Sequence, residues 1–501
     1  MVLQQLFEAI PGRTLVFGNG NLEITGLEYD SRRVRPGQVF FAIHGLKQDG
    51  ARFIPEAVSR GAVAVVSETP PHSVSNDHSP AWICTPNVRV AMALTARSYY
   101  GDPSSQMKLF GITGTNGKTT VAFLLASILQ SSGWRPGLFG TIEYDIEFGG
   151  EPNVSRLPAP NTTPESLDLQ RLLRAVVDHG GRSAVMEVSS NALSLDRVEG
   201  CSFYTAVFTN LSRDHLDFHH DMESYFAAKQ KLFAGSASAP PPAYAVLNAD
   251  DARCASLRAS TPSQVRTYGM RAPADVIARE WSTGKTGIEA VLETTCGTVE
   301  IQSPLLGRHN VYNLMAATTA ALTLDIAPQK ISEAVSRLRV PGRVESIDEG
   351  QPFRVVVDYA HTDDALRNLL QSAREWSGGR VILVFGCGGE RDRTKRPLMG
   401  MAAAVADRAL LTSDNPRGED PIAILNDVIV GLQKAKAAYD VQPDRQRAIE
   451  MAIRDARPGD TVLIAGKGHE TYQIIGNEKL PFDDRETARS VLRKLGFEKI
   501  S

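Results

Sequence analysis

KLFGITGTNGKTTVAFLLASIL, residues 108–129, is the stretch that decides the fold. Its apolar start predicts a short strand over residues 109–112, followed by a glycine-rich turn and a helix that begins with Lys118 and Thr119. The backbone N–H groups of such a turn and of the helix N-terminus point at one spot, where they bind phosphate. Lys118 adds a positive charge and the Thr119 hydroxyl can bind Mg²⁺, so the stretch predicts a nucleotide phosphate loop.

The loop is a variant of the P-loop pattern G-x-x-x-x-G-K-[ST]. Ile112 stands where the pattern has its first glycine, and Gly111 and Gly114 flank that position. The simpler alternative is a glycine turn before a helix with a surface lysine. The succession of strand, turn and helix favours the phosphate loop.

Length and composition bound the class of protein. At 501 residues the chain should form about three domains of roughly 150 residues each. A net charge of −3 leaves no basic excess, which argues against a nucleic-acid partner. The five cysteines are scattered without C-x-x-C spacing, which indicates reduced thiols in a cytosolic protein. The first residues lack the segments of a signal peptide, and no apolar run reaches about 18 residues, so we expect neither export nor a membrane span.

The alternation of strands and helices predicts an α/β fold of three domains. Residues 1–105 are typical of a small α/β domain with a polar rim. Residues 106–338 predict a central, mostly parallel sheet that carries the phosphate loop, with a small antiparallel insert at 275–301. Residues 339–501 alternate most regularly and predict a second doubly wound, Rossmann-like domain.

Polar side chains follow three apolar segments of the central domain, at 161–164, 187–191 and 212–217. Because the carboxyl ends of parallel strands meet at one edge of a sheet, we expect these loops to converge on the phosphate loop. A carboxylate and an imidazole on neighbouring strand ends can reach one Mg²⁺, which makes Glu187 and His215 candidates for a second metal site. For His215 taken alone, a structural role is the alternative.

Polar loops also follow the strands of the last domain, at 358–361, 386–391, 414–417 and 466–470. Arg417 and Glu470 carry opposite charges on adjacent strand ends and could hold the two ends of a zwitterion; alternatively, they pair with each other. In the predicted helix at 307–322, Asn310 and Asn313 are one turn apart and could face one ligand, the alternative being helix capping.

A phosphate loop with Mg²⁺ implies phosphoryl transfer, hydrolysis or a switch. A guanine-nucleotide switch needs a base-reading N-K-x-D loop, and the chain contains no Asn-Lys pair. An ATPase switch or nucleotide-binding protein without ligation chemistry stays open at this point. Phosphate release that depends on an amine separates a ligase from such a switch.

Taken in order, the motifs of this chain resemble those of the Mur ligases, the ATP-dependent amide-bond ligases that build the peptidoglycan stem peptide. The motifs are D-S-R at 30–32, T-G-T-N-G-K-T at 113–119, N-T-T-P at 161–164, E-V-S-S at 187–190, N-L-S-R-D-H-L-D at 210–217, A-A-K at 227–229, H-N at 309–310, P-G-R at 341–343 and D-Y-A-H at 358–361. The D-N-P-R motif at 414–417 and the G-K-G-H-E motif at 466–470 resemble the family members that add meso-diaminopimelate. The similarity covers nearly the whole chain.

The resemblance implies an ADP-forming ligase of peptidoglycan precursor synthesis, and so of cell-wall biogenesis, cell shape and division. ATP would phosphorylate the D-glutamate γ-carboxylate of UDP-N-acetylmuramoyl-L-alanyl-D-glutamate, and the amine of meso-diaminopimelate would attack the acyl phosphate. Mg²⁺ is the implied cofactor. We expect a monomer in the bacterial cytoplasm that acts on these small molecules.

The resemblance also assigns residues to sites. ATP would contact Gly114, Thr115, Asn116, Gly117, Lys118, Thr119, Thr120, Asn310, Asn313, Arg343 and Asp358. The UDP-sugar dipeptide would contact Ser31, Leu46, Lys47, Gln48, Thr162, Thr163, Ser189 and Arg197. Diaminopimelate would contact Arg391, Asp414, Asn415, Pro416, Arg417, Gly466 and Glu470. Magnesium would be held by Thr119, Glu187, His215 and a carbamate on Lys229, and the catalytic set would be Lys118, Lys229, His215 and Glu187.

Lys229 matches the family position that CO₂ carbamylates, which converts a cation into an anion. Such a lysine must be neutral when it reacts, so burial or neighbouring cations should lower its pKa. The alternative is a solvated helix lysine, as we expect for Lys231.

Three positions depart from the family pattern. Asn191 replaces a histidine, Leu195 a glutamine and Asp363 a proline, and the first two affect the expected sugar-peptide contacts. Within the family the lysine-adding ligase is the nearest alternative, and Arg417 argues against it because lysine lacks the distal carboxylate. The D-alanyl-D-alanine-adding ligase and folylpolyglutamate synthetase share the phosphate loop, but their amino-acid loop should differ.

Overall fold

The computed structural model describes residues 1–45, 48–71, 80–151, 155–284 and 286–498. Within these ranges the strands form three main sheets and one separate hairpin. Parallel pairs predominate in each main sheet, and helices pack on them, which confirms the predicted α/β class. Among the described helices, none is long and apolar enough to cross a membrane.

The N-terminal sheet has the order β1-β5-β4-β3-β2, in which only the pairing of β1 with β5 is antiparallel. Its strands are β1 (Thr14–Phe17), β2 (Gly26–Glu28), β3 (Gln38–Phe41), β4 (Ala64–Ser67) and β5 (Ala81–Cys84). Helices occupy Leu3–Glu8, Ile54–Ser59 and Val88–Tyr99, with 3₁₀ turns at Ser31–Arg33, Gly50–Phe53 and Pro103–Gln106. Leu167, which belongs to the region of the central sheet, packs into the apolar core of the N-terminal region and so connects the two regions.

The central sheet has the order β16-β15-β14-β13-β12-β11-β6-β10-β7-β8-β9, with its inner strands, from β14 to β7, parallel. The strands are β6 (Lys108–Thr113), β7 (Pro136–Phe139), β8 (Glu143–Asp145), β9 (Arg156–Pro158), β10 (Ser183–Glu187), β11 (Thr205–Phe208), β12 (Tyr244–Asn248), β13 (Gln264–Gly269), β14 (Val276–Thr283), β15 (Ile288–Thr294) and β16 (Gly297–Ser303). The helices are Lys118–Ser131, Ser166–Asp178, Ser190–Ser194, Leu216–His219, Met222–Ala234, Cys254–Ser260, Arg308–Leu322 and Pro328–Val335. The phosphate-loop strand β6 therefore lies in the middle of the sheet.

The C-terminal sheet has the order β17-β18-β22-β19-β20-β21, parallel except where β17 pairs with β18. Its strands are β17 (Glu345–Ile347), β18 (Arg354–Asp358), β19 (Val381–Phe385), β20 (Arg408–Leu411), β21 (Tyr439–Val441) and β22 (Thr461–Ala465), and the hairpin is β23 (Tyr472–Ile475) and β24 (Glu478–Pro481). The helices are Asp363–Trp376, Lys395–Ala403, Pro421–Lys434, Arg445–Asp455 and Asp484–Lys494. Apolar clusters cover both faces of this sheet, as in a doubly wound fold.

The helix Lys118–Ser131 is buried almost all round, which explains its apolar sequence. It packs beneath the central sheet beside the helix Arg308–Leu322, and both belong to one core with β6, β10 and β11. This burial fixes the phosphate loop at the sheet edge, because the loop is held between a central strand and a buried helix.

The antiparallel strands predicted as a small insert differ in one respect from the expectation. β14, β15 and β16 do form antiparallel pairs, but β14 also pairs in parallel with β13 at Tyr268 and Gly269. They therefore extend the central sheet instead of standing apart from it. The domain boundaries at 105/106 and 338/339 stay a prediction.

Candidate active site

The phosphate loop joins β6 to the helix Lys118–Ser131 through two glycines with positive φ, Gly114 at 147° and Gly117 at 87°. A Cβ at Gly114 would clash with the Thr209 hydroxyl, and a Cβ at Gly117 would clash with the Asn313 side-chain oxygen. Both positions therefore need glycine for conformation and for space. The Asn116 amide donates to Asn210 Oδ1 at 2.9 Å, which ties the loop to the loop after β11.

Lys118 curls back over this loop. Its Nζ donates to the carbonyl oxygens of Gly114 at 3.0 Å and Thr115 at 2.8 Å. Burial lowers the pKa of Lys118, an effect that the carboxylates of Glu187 and Asp214 oppose. The cation is thus presented at the helix N-terminus, where an anionic ligand is also favoured by the backbone N–H groups.

Glu187, at the end of β10, contacts the first turn of the phosphate-loop helix. The Thr119 hydroxyl lies 3.0 Å from both carboxylate oxygens of Glu187, and Thr141 donates to them from its amide at 2.8 Å and its hydroxyl at 3.1 Å. Hydroxyl and carboxylate oxygens are the ligands that Mg²⁺ prefers, so this donor set fits the cation. The predicted convergence of the β6 and β10 loops is observed.

Arg343 reaches this point from the start of the C-terminal region. Its Nη2 donates to Thr119 Oγ1 at 2.9 Å, and its guanidinium lies 4.2 Å above the ring of Tyr359. Its Nη1 is buried and has no hydrogen-bond partner among the described residues. A guanidinium that contacts the first turn of the phosphate-loop helix and keeps a buried N–H without a partner among the described residues is suited to bind a phosphoryl oxygen.

Lys229 is fully buried in the helix Met222–Ala234. Its Nζ donates to the same Gly114 carbonyl oxygen as Lys118, at 2.8 Å, and lies 4.5 Å from the ring centroid of Tyr225. Burial, and then the neighbouring Lys118, place the pKa of Lys229 well below its usual value. The burial and the neighbouring cation expected for Lys229 are therefore both present, and Lys231, two residues on, is exposed as expected.

His215 is the cap residue of the short helix Leu216–His219 and has a positive φ of 54°. Its Nε2 is 3.5 Å from Asp214 Oδ2, and 44% of its side-chain surface is exposed. Desolvation lowers the pKa of His215 below its ordinary value, and the Asp214 carboxylate opposes this shift. Burial alone would raise the pKa of Asp214, but His215, His361 and Lys395 lower it to about 2. In the described part of the chain, no three His, Cys, Asp or Glu side chains are grouped to hold a metal ion. The predicted metal set would thus need the carbamate on Lys229 as well as Glu187 and His215.

The remaining residues predicted to bind nucleotide lie beside the loop. Thr115 and Thr120 are buried, and Asn313 donates to Asn310 Oδ1 at 2.8 Å. Asn310 Nδ2 in turn donates at 2.8 Å to the carbonyl oxygen of Leu306, just before the helix Arg308–Leu322, so Asn310 contacts the helix end as well as Asn313. Asp358 accepts the amide of Val344 at 2.8 Å and holds that residue at a φ of 47°, unusual for a β-branched side chain. Asp358 therefore fixes the segment that carries Arg343.

Two further contacts join the C-terminal region to the phosphate loop. Asn116 Nδ2 donates to Asp364 Oδ2 at 2.9 Å, across 248 residues of sequence. Arg213 Nη2 donates to Thr394 Oγ1 at 2.5 Å. Loops of the two regions therefore meet around the phosphate loop.

The D-N-P-R loop follows β20 and pairs with the hairpin strand β23. Arg417 Nη1 donates to the Gly389 carbonyl oxygen at 2.7 Å, and none of the ion pairs among the described residues involves Arg417. Burial, and then the neighbouring Arg391, lower the pKa of Arg417. Two arginines without an acidic partner form a site suited to a carboxylate ligand. The alternative pairing of Arg417 with Glu470 is not observed.

Glu470 instead contacts the side chains of Asn415 and Lys467. Its Oε2 accepts from Asn415 Nδ2 at 2.9 Å and from Lys467 Nζ at 3.0 Å. Gly466 packs closely against Asp414. A Cβ at Gly466 would lie only 2.6 Å from Asp414 Oδ2. The D-N-P-R and G-K-G-H-E motifs thus pack as one unit, with Pro416 between Asn415 and Arg417.

The residues predicted to bind the UDP-sugar dipeptide fall into three groups. Gln48 lines a cavity of about 220 Å³ with Tyr29, Arg89 and Glu165. Ser31 donates to Glu56 at 2.7 Å and so is engaged within its own region. Leu46 and Lys47 lie outside the described residues.

The others lie near Glu187 at the ends of central strands. The hydroxyls of Thr162 and Thr141 are 3.1 Å apart, and the Thr163 hydroxyl donates to the Glu187 carbonyl oxygen at 2.9 Å. Ser189 donates its amide to Thr163 Oγ1 at 3.0 Å, and Arg197 donates to the Thr163 carbonyl oxygen at 3.1 Å. These four residues form a polar rim between Glu187 and the cavity at Gln48.

Comparison with known proteins identifies the family. Models described as Mur ligase family, catalytic domain; Mur ligase middle domain; and Mur ligase, glutamate ligase domain match residues 23–100, 112–321 and 342–468. A protein of Solibacter usitatus (strain Ellin6076) named UDP-N-acetylmuramoyl-L-alanyl-D-glutamate--2,6-diaminopimelate ligase is 51% identical over 480 residues, which cover 95% of this chain and 94% of that protein. The chain belongs to the Mur ligase family.

Other Mur ligases match over the full length. The protein of the same name from Geobacillus thermodenitrificans (strain NG80-2) is 45% identical over 99% of this chain and 100% of its own. A solved structure of a UDP-N-acetylmuramoyl-L-alanyl-D-glutamate--2,6-diaminopimelate ligase has a TM-score of 0.68 and 34% identity, and covers 99% of both chains. The resemblance inferred from the motifs is therefore confirmed at the level of the family.

Within this Mur ligase fold, several side chains near the site had no predicted role. Lys467 and Asp364 contact predicted site residues directly, and Arg89 and Glu165 line the cavity at Gln48. Only Lys467 carried a signal, since it lies inside the G-K-G-H-E motif. Of the departures from the family pattern, Asn191 and Leu195 lie in or just after the short helix Ser190–Ser194, and Asp363 begins the helix Asp363–Trp376 after its cap, Thr362.

Proposed function

We propose that this Mur ligase adds meso-diaminopimelate to the D-glutamate γ-carboxylate of UDP-N-acetylmuramoyl-L-alanyl-D-glutamate, with ATP as the phosphoryl donor. The observation that carries the proposal is the amino-acid loop, where among the described residues Arg417 has no acidic partner and Glu470 Oε1 accepts no hydrogen bond. The relatives whose names specify 2,6-diaminopimelate support the same substrate. The product is a precursor of peptidoglycan, which places the enzyme in cell-wall synthesis and, through it, in cell shape and division.

In the first step the γ-phosphoryl group passes from ATP to the γ-carboxylate, which gives an acyl phosphate and ADP. The backbone N–H groups of the phosphate loop, the Lys118 ammonium and the free Nη1 of Arg343 would bind the phosphoryl oxygens. Thr119 would hold one Mg²⁺, which would neutralise charge on those oxygens. Positioning and electrostatic stabilisation provide most of the rate in phosphoryl transfer, since little covalent chemistry falls to the protein.

Lys229 would act as a carbamate. Its neutral amine adds to the carbon of CO₂, a C–N bond forms, one C=O becomes a carboxylate, and a proton is released. The Nζ atoms of Lys118 and Lys229 donate to one Gly114 oxygen, so a charged Lys229 would repel Lys118, whereas a carbamate there would attract it. The carbamate, Glu187 and His215 would then provide oxygen and nitrogen ligands for a second Mg²⁺.

In the second step the amine of diaminopimelate attacks the acyl carbon, and a tetrahedral intermediate expels phosphate. The distal carboxylate of the amino acid would bind Arg417 and Arg391, and its distal ammonium would bind Glu470. L-Lysine has the ammonium but lacks the carboxylate, which would leave Arg417 unpaired. A site built for a polar group can reject a ligand lacking it by about 10⁴-fold.

The test is phosphate release from ATP in the presence of the UDP-sugar dipeptide, with meso-diaminopimelate, L-lysine or no amino acid. Release with diaminopimelate alone is the expected result. Release with lysine would keep the ligase and overturn the substrate, and release without any amine would favour the ATPase switch.

We also propose a monomer that works in the bacterial cytoplasm. The five cysteines are free in the structure, which is consistent with a reducing compartment. A dimeric mass in light scattering would contradict the monomer, and recovery of the protein outside the cytoplasm after cell fractionation would contradict the location.

A further inference from the structure

Lys467 lies behind the amino-acid loop, in the G-K-G-H-E motif. Its side chain is fully buried. A lysine is rarely buried to this extent unless it has polar or ionic partners. Its Nζ donates to Asn415 Oδ1 at 3.0 Å and to Glu470 Oε2 at 3.0 Å. We infer that Lys467 is a positioning residue that orients the Glu470 carboxylate toward the distal ammonium of the amino-acid substrate, an inference that rests on the proposed function.

The two oxygens of Glu470 have different surroundings. Oε2 accepts two hydrogen bonds, from Lys467 at 3.0 Å and from Asn415 Nδ2 at 2.9 Å. Oε1 accepts none from the residues that the structure describes, and the side chain keeps 16% of its surface exposed. A carboxylate held twice through one oxygen cannot rotate freely, so the other oxygen is presented in one direction.

Asn415 connects this arrangement to the D-N-P-R loop. Its Oδ1 accepts from Lys467 and also from the backbone amide of Ile474 at 2.9 Å, while its Nδ2 holds Glu470. Every polar atom of the buried Asn415 side chain is thus engaged by a partner. A connected network of hydrogen bonds therefore sets the distance between the Arg417 guanidinium and the Glu470 carboxylate. This distance would determine which zwitterion can bind both groups at once.

The charged groups around Glu470 support the same positioning role for Lys467. Burial would raise the pKa of Asp414, but Lys467, and after it Arg445, lower it, so Asp414 and Glu470 share one lysine. Without Lys467, Glu470 would be free to turn toward the unpaired Arg417 and close the site to the ligand.

The first experiment compares steady-state kinetics of Lys467→Met with the wild-type enzyme. We expect the KM for meso-diaminopimelate to rise about 10- to 100-fold, because a charge-assisted hydrogen bond that positions a ligand group is lost. The KM values for ATP and for the UDP-sugar dipeptide should change less than about two-fold. The matched control is Lys479→Met, which removes an exposed lysine that lies 3.6 Å from the Tyr472 ring centroid and should leave all three KM values unchanged.

The second experiment separates positioning from a structural role. If Lys467 acts through Glu470, then Lys467→Met in a Glu470→Gln background should change the KM for diaminopimelate by less than about two-fold. Equal effects in both backgrounds would overturn the inference, as would an unchanged KM in the single variant. If Lys467→Met fails to fold, Lys467→Gln, which keeps an N–H donor but no charge, replaces it in the same cycle.

The wild-type enzyme is measured first, which keeps the two proposals apart. Absence of diaminopimelate-dependent phosphate release there would overturn the proposed function together with this inference. If the wild-type enzyme is active but the effects of Lys467→Met and Glu470→Gln on the KM for diaminopimelate are additive, only the proposed role of Lys467 is overturned.

Discussion

Replacement of Arg417 by alanine should abolish the preference for diaminopimelate over lysine. The guanidinium is held in place by its Nη1, which donates to the Gly389 carbonyl oxygen at 2.7 Å, and its other N–H groups make no hydrogen bond with the described residues. Those groups are free to form a two-pronged contact with a carboxylate. Arg417→Ala removes that contact and leaves the Glu470 side of the site in place.

The magnitude follows from the number of hydrogen bonds. A two-pronged contact contains two charge-assisted hydrogen bonds, each of about 1.5–3 kcal/mol. Their loss corresponds to a fall of about 10²- to 10⁴-fold in kcat/KM for diaminopimelate, since about 1.4 kcal/mol is a factor of ten. L-Lysine makes no such contact, so its kcat/KM should change by less than about ten-fold.

The assay is amine-dependent phosphate release with each amino acid over a range of concentrations. The matched control is Arg393→Ala, which removes an exposed arginine of the preceding loop that lies beside Glu419 and Asp427. This control should keep the wild-type ratio of the two kcat/KM values. A wild-type ratio in Arg417→Ala would refute the assignment of the distal carboxylate to this arginine.

Two other perturbations test the phosphate loop and its neighbours. Lys229→Ala should lose activity by more than about 100-fold, by analogy with the loss of one preorganised electrostatic group. Lys229→Glu should recover part of this activity. The activity of the wild-type enzyme should fall in CO₂-free buffer. Full activity of Lys229→Ala without bicarbonate, or Glu no better than Ala, would exclude the carbamate. Asp364→Ala removes the acceptor of Asn116 at 2.9 Å and should raise the KM for ATP about three- to ten-fold with unchanged selectivity, measured by the same phosphate assay; an unchanged KM for ATP would show that this contact does not support the loop.

The residues of the phosphate loop could be predicted because their chemistry is local. Gly114, Gly117 and Lys118 lie within five residues of one another, and the strand, turn and helix around them leave a clear pattern in the sequence. The convergence of the polar loops on the phosphate loop could be predicted as well, since parallel strands bring their polar ends to one edge of a sheet. The contact between Glu187 and Thr119 agrees with that convergence, whereas the order of the strands came from the structure.

Contacts between distant segments left no such pattern. Asn116 and Asp364 are 248 residues apart, and an aspartate at the start of a helix is explained by the helix dipole alone. Lys467 lies within the G-K-G-H-E motif, but its burial against Asn415 and Glu470 depends on how two loops and a hairpin pack. Asn310 and Asn313 share a helix face as expected, yet they bond to each other, which spacing alone could not distinguish from binding a ligand.

The two lysines at Gly114 give a physical reason for the proposed carbamate on Lys229. Lys118 and Lys229 both donate to one carbonyl oxygen, and each is buried, so two full positive charges there would be costly. Lys118 retains nearby carboxylates in Glu187 and Asp214, which favour its charged form. Asp214 favours the charged form of both lysines, whereas Glu187 acts on Lys118, and the pKa of Lys229 is the one lowered well below its usual value. Under the proposed function, Lys118 would serve as the cation for the phosphoryl group and Lys229 as the amine that reacts with CO₂.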